Sequence, residues 1–195
     1  MIPEFYAIVG AAVASLGGLY YLFETVTGKS QPNRVTWLLW GILPLIIFSA
    51  QRVQGVGGLS WFSLTAGITP LLVLSASFLN KKAYWRTSRL DLGLMAAALI
   101  GIVVWAFTKE PNLAIGFALV ADFLAGAPTL IKAYHHPETE SWIAYAISTI
   151  GAVITLLAMQ SFNFQSSAFV ILLLLANGSL TLLCLRKPRL ILASV

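Results

Sequence analysis

The sequence predicts an all-helical membrane protein with seven transmembrane helices. Three observations carry that reading. Of the 195 residues, 58% are hydrophobic and only 10% are charged, whereas soluble domains carry roughly a quarter charged residues. The apolar residues gather into seven runs, each near the ~20 residues that a helix needs to cross a bilayer. Polar punctuation separates the runs: GKSQPN, QRVQGVGG, NKKAYWRTSR, TKEPN, HHPETE and QSFNFQ.

The first run covers residues 5–26. It opens on an acid, in MIPEF, with no basic segment before it, so we expect a retained helix rather than a cleaved signal peptide. The second, 35–50, is short and leans on Arg34 and Arg52 to complete a span; without it two charged loops would be stranded on opposite sides. The third is 59–79. The fourth, 90–107, has no charged or strongly polar side chain past Asp91. The fifth (113–131), sixth (142–159) and seventh (168–185) complete the set, with Asp122 inside the fifth and Asn177 inside the seventh. Cys184 is the only cysteine, so no internal disulfide is possible; it reads as an apolar helix residue.

Lys and Arg accumulate on the cytoplasmic side of membrane proteins. The connections after runs one, three and five, with the C-terminal end, hold Lys29, Arg34, Lys81, Lys82, Arg86, Arg89, Lys132, Arg186, Lys187 and Arg189, against Arg52 and Lys109 on the other side: 10 against 2. The N-terminus is therefore expected outside and the C-terminus in the cytoplasm, in a plasma or inner membrane. The net charge of +5 is explained by this orientation, and no nucleic-acid partner is expected.

A shift of 105 positions places Trp142 on Trp37, Pro137 on Pro32, Tyr145 on Trp40 and Lys187 on Lys82. The offset runs without a gap from the hinge QPNRVTW to the end of the third run. The expected organisation is a first three-helix repeat over 1–80, a linker helix in 81–110, a second repeat over 111–187 and a cytoplasmic tail, 188–195. Internal repeats are a recurrent transporter construction. A three-helix unit ends on the side opposite its start, so two parallel copies need one inverting helix between them, and the fourth run suits that task.

Here the residues resemble a family. A proline near the inner end of a helix followed by a polar loop, PTLIKAYHHPETES at 128–141, is similar to the PQ-loop motif of the SWEET/PQ-loop (MtN3-like) transporter superfamily. Its larger members have a 3+1+3 arrangement with the N-terminus outside. The resemblance implies solute transport by alternating access. Thr129 stands where the motif has Gln, and Phe23-Glu24 replaces Pro-Gln in the first repeat. Of the four helix prolines of SWEETs, Pro44 and Pro128 are kept, while Phe23 and Thr149 stand at the other two positions. Sugar specificity does not carry over with those departures.

Candidate site residues follow from polarity at membrane depth. Asp122 sits in LVADFLAGAPT, and an intramembrane carboxylate is costly unless paired, hydrated or protonated. Ala118, Ala125, Gly126 and Thr129 share its face, which permits close packing or a water-filled cavity. It is expected to bind substrate and couple transport to protons, or else to bond a neighbouring helix. Asn177 matches the substrate-contacting Asn of the seventh SWEET helix, although the paired Asn of the third is here Leu72; its amide serves a substrate or another helix.

Trp37, Trp40, Pro44, Phe48 and Gln51 recur on one helical face, and Trp142, Tyr145 and Thr149 mirror the first three. Trp40, Tyr145 and Thr149 are expected at the substrate. Trp37, Trp142 and Tyr21 are expected as gates, or as an interfacial aromatic belt. Pro44, Pro128 and Thr129 are expected as hinges, since proline removes a helical hydrogen bond.

His135, His136, Glu138 and Glu140 lack the i, i+4 geometry of a metal motif and read as a solvated loop. No nucleophile–base pair, phosphate-cradling loop or cofactor motif is present, so no enzyme, metal or cofactor is expected. The absence of Lys from the seventh run disfavours a retinal protein. Two functions remain: a transporter of a small polar solute (sugar, amino acid or vitamin-like) that rocks two three-helix bundles, or a membrane receptor or interaction module without net transport. Expected partners are the solute and the lipid bilayer, with a homo-oligomer left open.

Overall fold

A computed structural model of the chain describes residues 2–80, 85, 86, 88–108 and 110–186. Lys81, Lys82, Lys109, Lys187, Arg189 and the 188–195 tail of the charge argument lie outside them. The described chain is all-helical: α1 (Tyr6–Thr27), α2 (Arg34–Val53), α3 (Ser60–Leu79), α4 (Arg89–Thr108), α5 (Pro111–His135), α6 (Trp142–Leu157) and α7 (Phe164–Cys184), with a single 3₁₀ turn at Pro137–Thr139. By length and composition α1, α2, α3, α5 and α7 can each cross a membrane, while α6 has 16 residues.

The polar punctuation sets the helix ends. Asn33 caps α2 by accepting from the amides of Val35 and Thr36, at 3.1 and 3.4 Å. Ser141 caps α6 through the Ala144 amide at 3.3 Å, and Asn163 caps α7 through Ser166 at 2.9 Å. Each cap gives a partner to an amide that the first helical turn leaves free. After α1 the backbone turns at Gly28, with φ of 75°, a left-handed conformation that glycine takes without steric cost.

The second helix takes in both Arg34 and Arg52, as expected, and runs from Arg34 to Val53. Two other expected boundaries are corrected. The fifth does not stop at 131 but continues to His135, so Lys132 is a helical residue rather than a loop one. The seventh begins at Phe164, where Asn163 supplies the cap, instead of at 168.

Helix α3 packs against both α1 and α2, and α7 packs against both α5 and α6. Across the middle, α1 lies on α6 and α2 on α5, while α4 lies against α5 with a lesser contact to α2. The starts and ends of α1, α2 and α3 precede those of α5, α6 and α7 by 105, 108, 108, 104, 104 and 105 residues.

The α1–α6 seam is built of small residues. A methyl group on Gly17 would lie 2.5 Å from the Ala144 carbonyl oxygen, and one on Gly151 would lie 2.6 Å from that of Gly10. Helices in lipid associate through such close packing, because no hydrophobic driving force separates lipid from protein. The opposite seam, α2 on α5, is looser: the Trp40 indole fills the space beside Gly126, and Thr36 donates to the Ala125 carbonyl at 2.8 Å. Space is left between the two seams.

Candidate functional site

That space is a cavity of about 90 Å³ walled, among the described residues, by every helix except α4. One wall is aromatic. The Tyr21 and Trp37 rings lie 4.3 Å apart, Trp37 meets Trp40 edge-on at 5.6 Å, and Tyr21 meets Tyr145 at 5.8 Å. Asp122 faces them from midway along α5 and is 2% exposed. Its Oδ1 and the indole nitrogen of Trp37 are both buried with no hydrogen-bond partner among the described residues. A buried polar group left unpaired is costly, and both residues border the same cavity.

Most of the remaining polar groups of the cavity have their donors committed. Ser15, Thr65 and Thr69 donate to the carbonyls of Ala11, Phe62 and Thr65 in their own helices, at 2.8, 3.1 and 3.1 Å. The Asn177 amide donates to Leu173 one turn back at 2.9 Å, so it does not bond another helix through that contact. Pro44 and Pro70 lie within α2 and α3. Lacking an N–H, each leaves the carbonyl four residues earlier, of Trp40 and Ala66, without its helical donor. Both of those residues border the cavity.

At the hinge end the cavity is closed by a charged cluster. Tyr21 and Tyr145 both donate to Glu140 Oε2, at 2.8 and 2.6 Å. Lys132 pairs with Glu140 Oε1 at 2.6 Å, and both side chains are buried. The Lys132 ammonium also donates to the Gln31 carbonyl and lies 5.0 Å from the centre of the Trp85 ring. The Gln31 amide in turn donates to Thr139 at 3.0 Å, so the two hinges, QPN and PETE, meet here. At the far end of α2, Gln51 donates to the Gln165 carbonyl at 2.7 Å and accepts from Ser63 at 2.8 Å.

The structure brings Asp122, Asn177, Trp40, Tyr145, Trp37, Tyr21 and Pro44 to one cavity. Four other residues singled out in the sequence lie elsewhere. Thr149 donates to the Tyr145 carbonyl within α6 at 2.8 Å. Trp142 is 45% exposed, on the outer side of a first turn whose Ala144 and Tyr145 face inward. Pro128 borders a separate groove shared with Trp85 and Asp91. Thr129 is fully buried, and its hydroxyl has no partner among the described residues.

The solvated-loop reading of the second hinge is corrected at one residue. His136 and Glu138 are exposed and 3.5 Å apart, but Glu140 is buried, since the helical extension to His135 carries Lys132 inward to meet it. Sequence reasoning also missed Pro70 and the bond from Asn33 Nδ2 to buried Asp91 at 2.8 Å, which ties α4 to the first hinge. The available signal was scarcity, since an acid or a Lys flanking a hinge in so apolar a chain needs a partner. No grouping of three or more His, Cys, Asp or Glu residues suited to a metal occurs among the described residues. Comparison of the chain with protein-family models, curated proteins and solved structures finds no match.

Proposed function

We propose that the protein carries a small polar solute across the membrane by alternating access, coupled to protons through Asp122. In this reading all seven helices span the bilayer with the N-terminus outside. Helices α1–α3 and α5–α7 are two parallel three-helix bundles of SWEET/PQ-loop type, and α4 is the inverting link. The observation that carries the reading is the pair of unpartnered buried atoms, Trp37 Nε1 and Asp122 Oδ1, on one cavity between the two halves. The mirrored packing of α3 and α7 within their halves supports the repeat.

In the described state the Lys132–Glu140–Tyr21–Tyr145 cluster closes the hinge end. Opening toward the cytoplasm separates the two hinges and breaks that cluster, while the small-residue α1–α6 seam and the α2–α5 seam slide against each other. Purified protein reconstituted into sealed vesicles with an inward proton gradient tests the proposal. The expected result is accumulation of a solute from a metabolite mixture, lost in Asp122→Asn and weakened in Trp40→Ala. Saturable binding with no flux under any gradient would make the protein a receptor instead.

A further inference from the structure

The hydrogen-bonding inventory of the cavity is one-sided. Asp122 is the only charged residue that borders it, and no Lys, Arg or His does so among the described residues. The hydroxyl hydrogens of Tyr21, Tyr145, Ser15, Thr65 and Thr69 are already donated to Glu140 or to helix carbonyls. Those oxygens keep their lone pairs, and the Trp40 and Ala66 carbonyls have lost their helical donors to Pro44 and Pro70. The donors left over among the described residues are the indole N–H of Trp37 and the second amide N–H of Asn177.

Such a lining is negative, rich in acceptors and walled by aromatic rings. A second carboxylate or a phosphate would meet repulsion from Asp122 and almost no donors. An ammonium or amidinium group would meet a carboxylate, spare lone pairs and the faces of Trp37, Trp40 and Tyr21, which attract cations most when water is excluded. A bare metal cation would gain less, because it prefers a shell of oxygens and much of this wall is ring carbon.

We infer that the solute is a small organic cation bearing N–H donors and one oxygen acceptor, which exchanges with a proton on Asp122. The N–H donors go to Asp122 and the oxygen accepts from Trp37. The inference rests on the solute-binding reading of the cavity and adds the class of solute and the nature of the coupling. A carboxylate at this depth needs either a proton or a cation beside it, so the two compete, and one positive charge leaves as another enters.

The groups that face or flank Asp122 leave no other compensating charge. On α2 the charged residues are Arg34 and Arg52 at its two ends; on α4 they are Arg89 and Asp91 at its start. Helix α7 contributes only Cys184 at its last turn, and the turn after α5 contributes exposed Glu138. On α5 itself Lys132 is taken by Glu140, and His135 is exposed at the last position. Tyr21 and Tyr145 face the same cavity but give their protons to Glu140.

The test compares tyramine with tyrosol, which replaces the ammonium by a hydroxyl, and ethanolamine with uncharged ethylene glycol. Binding to the purified full-length protein is followed by thermal shift and by calorimetry in weak and strong buffers, with sodium chloride alone as a control. Tyramine is expected to bind more tightly than tyrosol, to release a proton as it binds, and to lose affinity as the pH falls. Asp122→Asn should weaken tyramine binding roughly tenfold to a hundredfold, the worth of a hydrogen bond to a charged group, and erase its preference over tyrosol.

Equal binding of tyrosol, failure of both cations to bind, or the same thermal shift from sodium chloride alone would each overturn the inference, and none of these needs a variant to fold. Cation binding without vesicle uptake would leave the inference standing and sink the transport reading. Uptake of a neutral solute with no cation preference would do the reverse.

Discussion

Of the buried acidic side chains in this bundle, Asp91, Asp122 and Glu140, the structure treats the last two in opposite ways. Glu140 receives a Lys ammonium and two tyrosine hydroxyls within 2.8 Å. Asp122, about as inaccessible, receives nothing from any described side chain at its Oδ1. The first carboxylate has its desolvation offset inside the protein and serves to hold two hinges together. The second has no such offset from the described residues at its Oδ1. Burial alone therefore does not distinguish a fastening from a binding site; the list of partners does.

Removing the fastening gives the largest expected effect. Glu140→Ala leaves Lys132 buried without a counter-charge, and stripping one partner from a buried pair costs about 3–5 kcal/mol. Chemical unfolding in detergent should show this loss. Replacing both partners, in Lys132→Met/Glu140→Ala, should cost less than the sum of the single changes. A Glu140→Ala protein within about 1 kcal/mol of the parent would mean that the cluster holds nothing.

Trimming the cluster sharpens the comparison further. Tyr145→Phe removes one hydroxyl donated to a charged acceptor, which is worth about 1.5–3 kcal/mol. Tyr21→Phe should behave alike, and the double change should be non-additive because both hydroxyls share one carboxylate oxygen. Strict additivity in that cycle would show that the two bonds are independent of each other.

Asp122→Asn is expected to fall on the other side of the line. It keeps the shape of the side chain while removing a charge that has no partner, so unfolding should shift by no more than about 1 kcal/mol, with gain as acceptable as loss. Proton-driven uptake should disappear in the same protein. A loss of stability as large as that of Glu140→Ala would move Asp122 among the structural residues.

How much of this was legible depended on whether a residue's partners were local. The seven helices follow from apolar length, and Asp122, Trp40 and Asn177 follow from polarity at depth, a property of a single position. The end of α5 was missed because KAYHH looks like a loop, and only the fold shows that Lys132 has a buried partner eight residues on and a carbonyl from the other hinge. Glu140 was hidden for the same reason, since its donors come from α1, α5 and α6. Pairing across helices leaves no period in the sequence. Pro70 was overlooked because its counterpart at the 105-residue offset is Leu175, so the repeat gives no sign of it.

The smallest expected effect tests the limits of that repeat. Trp37 and Trp142 coincide at the 105-residue offset, yet Trp37 is 4% exposed against Tyr21 and Trp142 is 45% exposed. The cause is local. Asn33 caps α2 four residues before Trp37, which places that ring one turn inside the helix, whereas Ser141 caps α6 immediately before Trp142. The same side chain therefore lies in the first turn on one helix and faces the cavity on the other. Trp142→Ala should change unfolding by no more than about 0.5 kcal/mol, as surface substitutions usually do, and should leave solute affinity unaltered. The matching change at Trp37 removes a buried ring together with an N–H that has no partner among the described residues. If Trp142→Ala instead weakened binding as much as Trp37→Ala, the two halves would have to exchange roles during the cycle, with Trp142 turning inward in the state that opens to the other side.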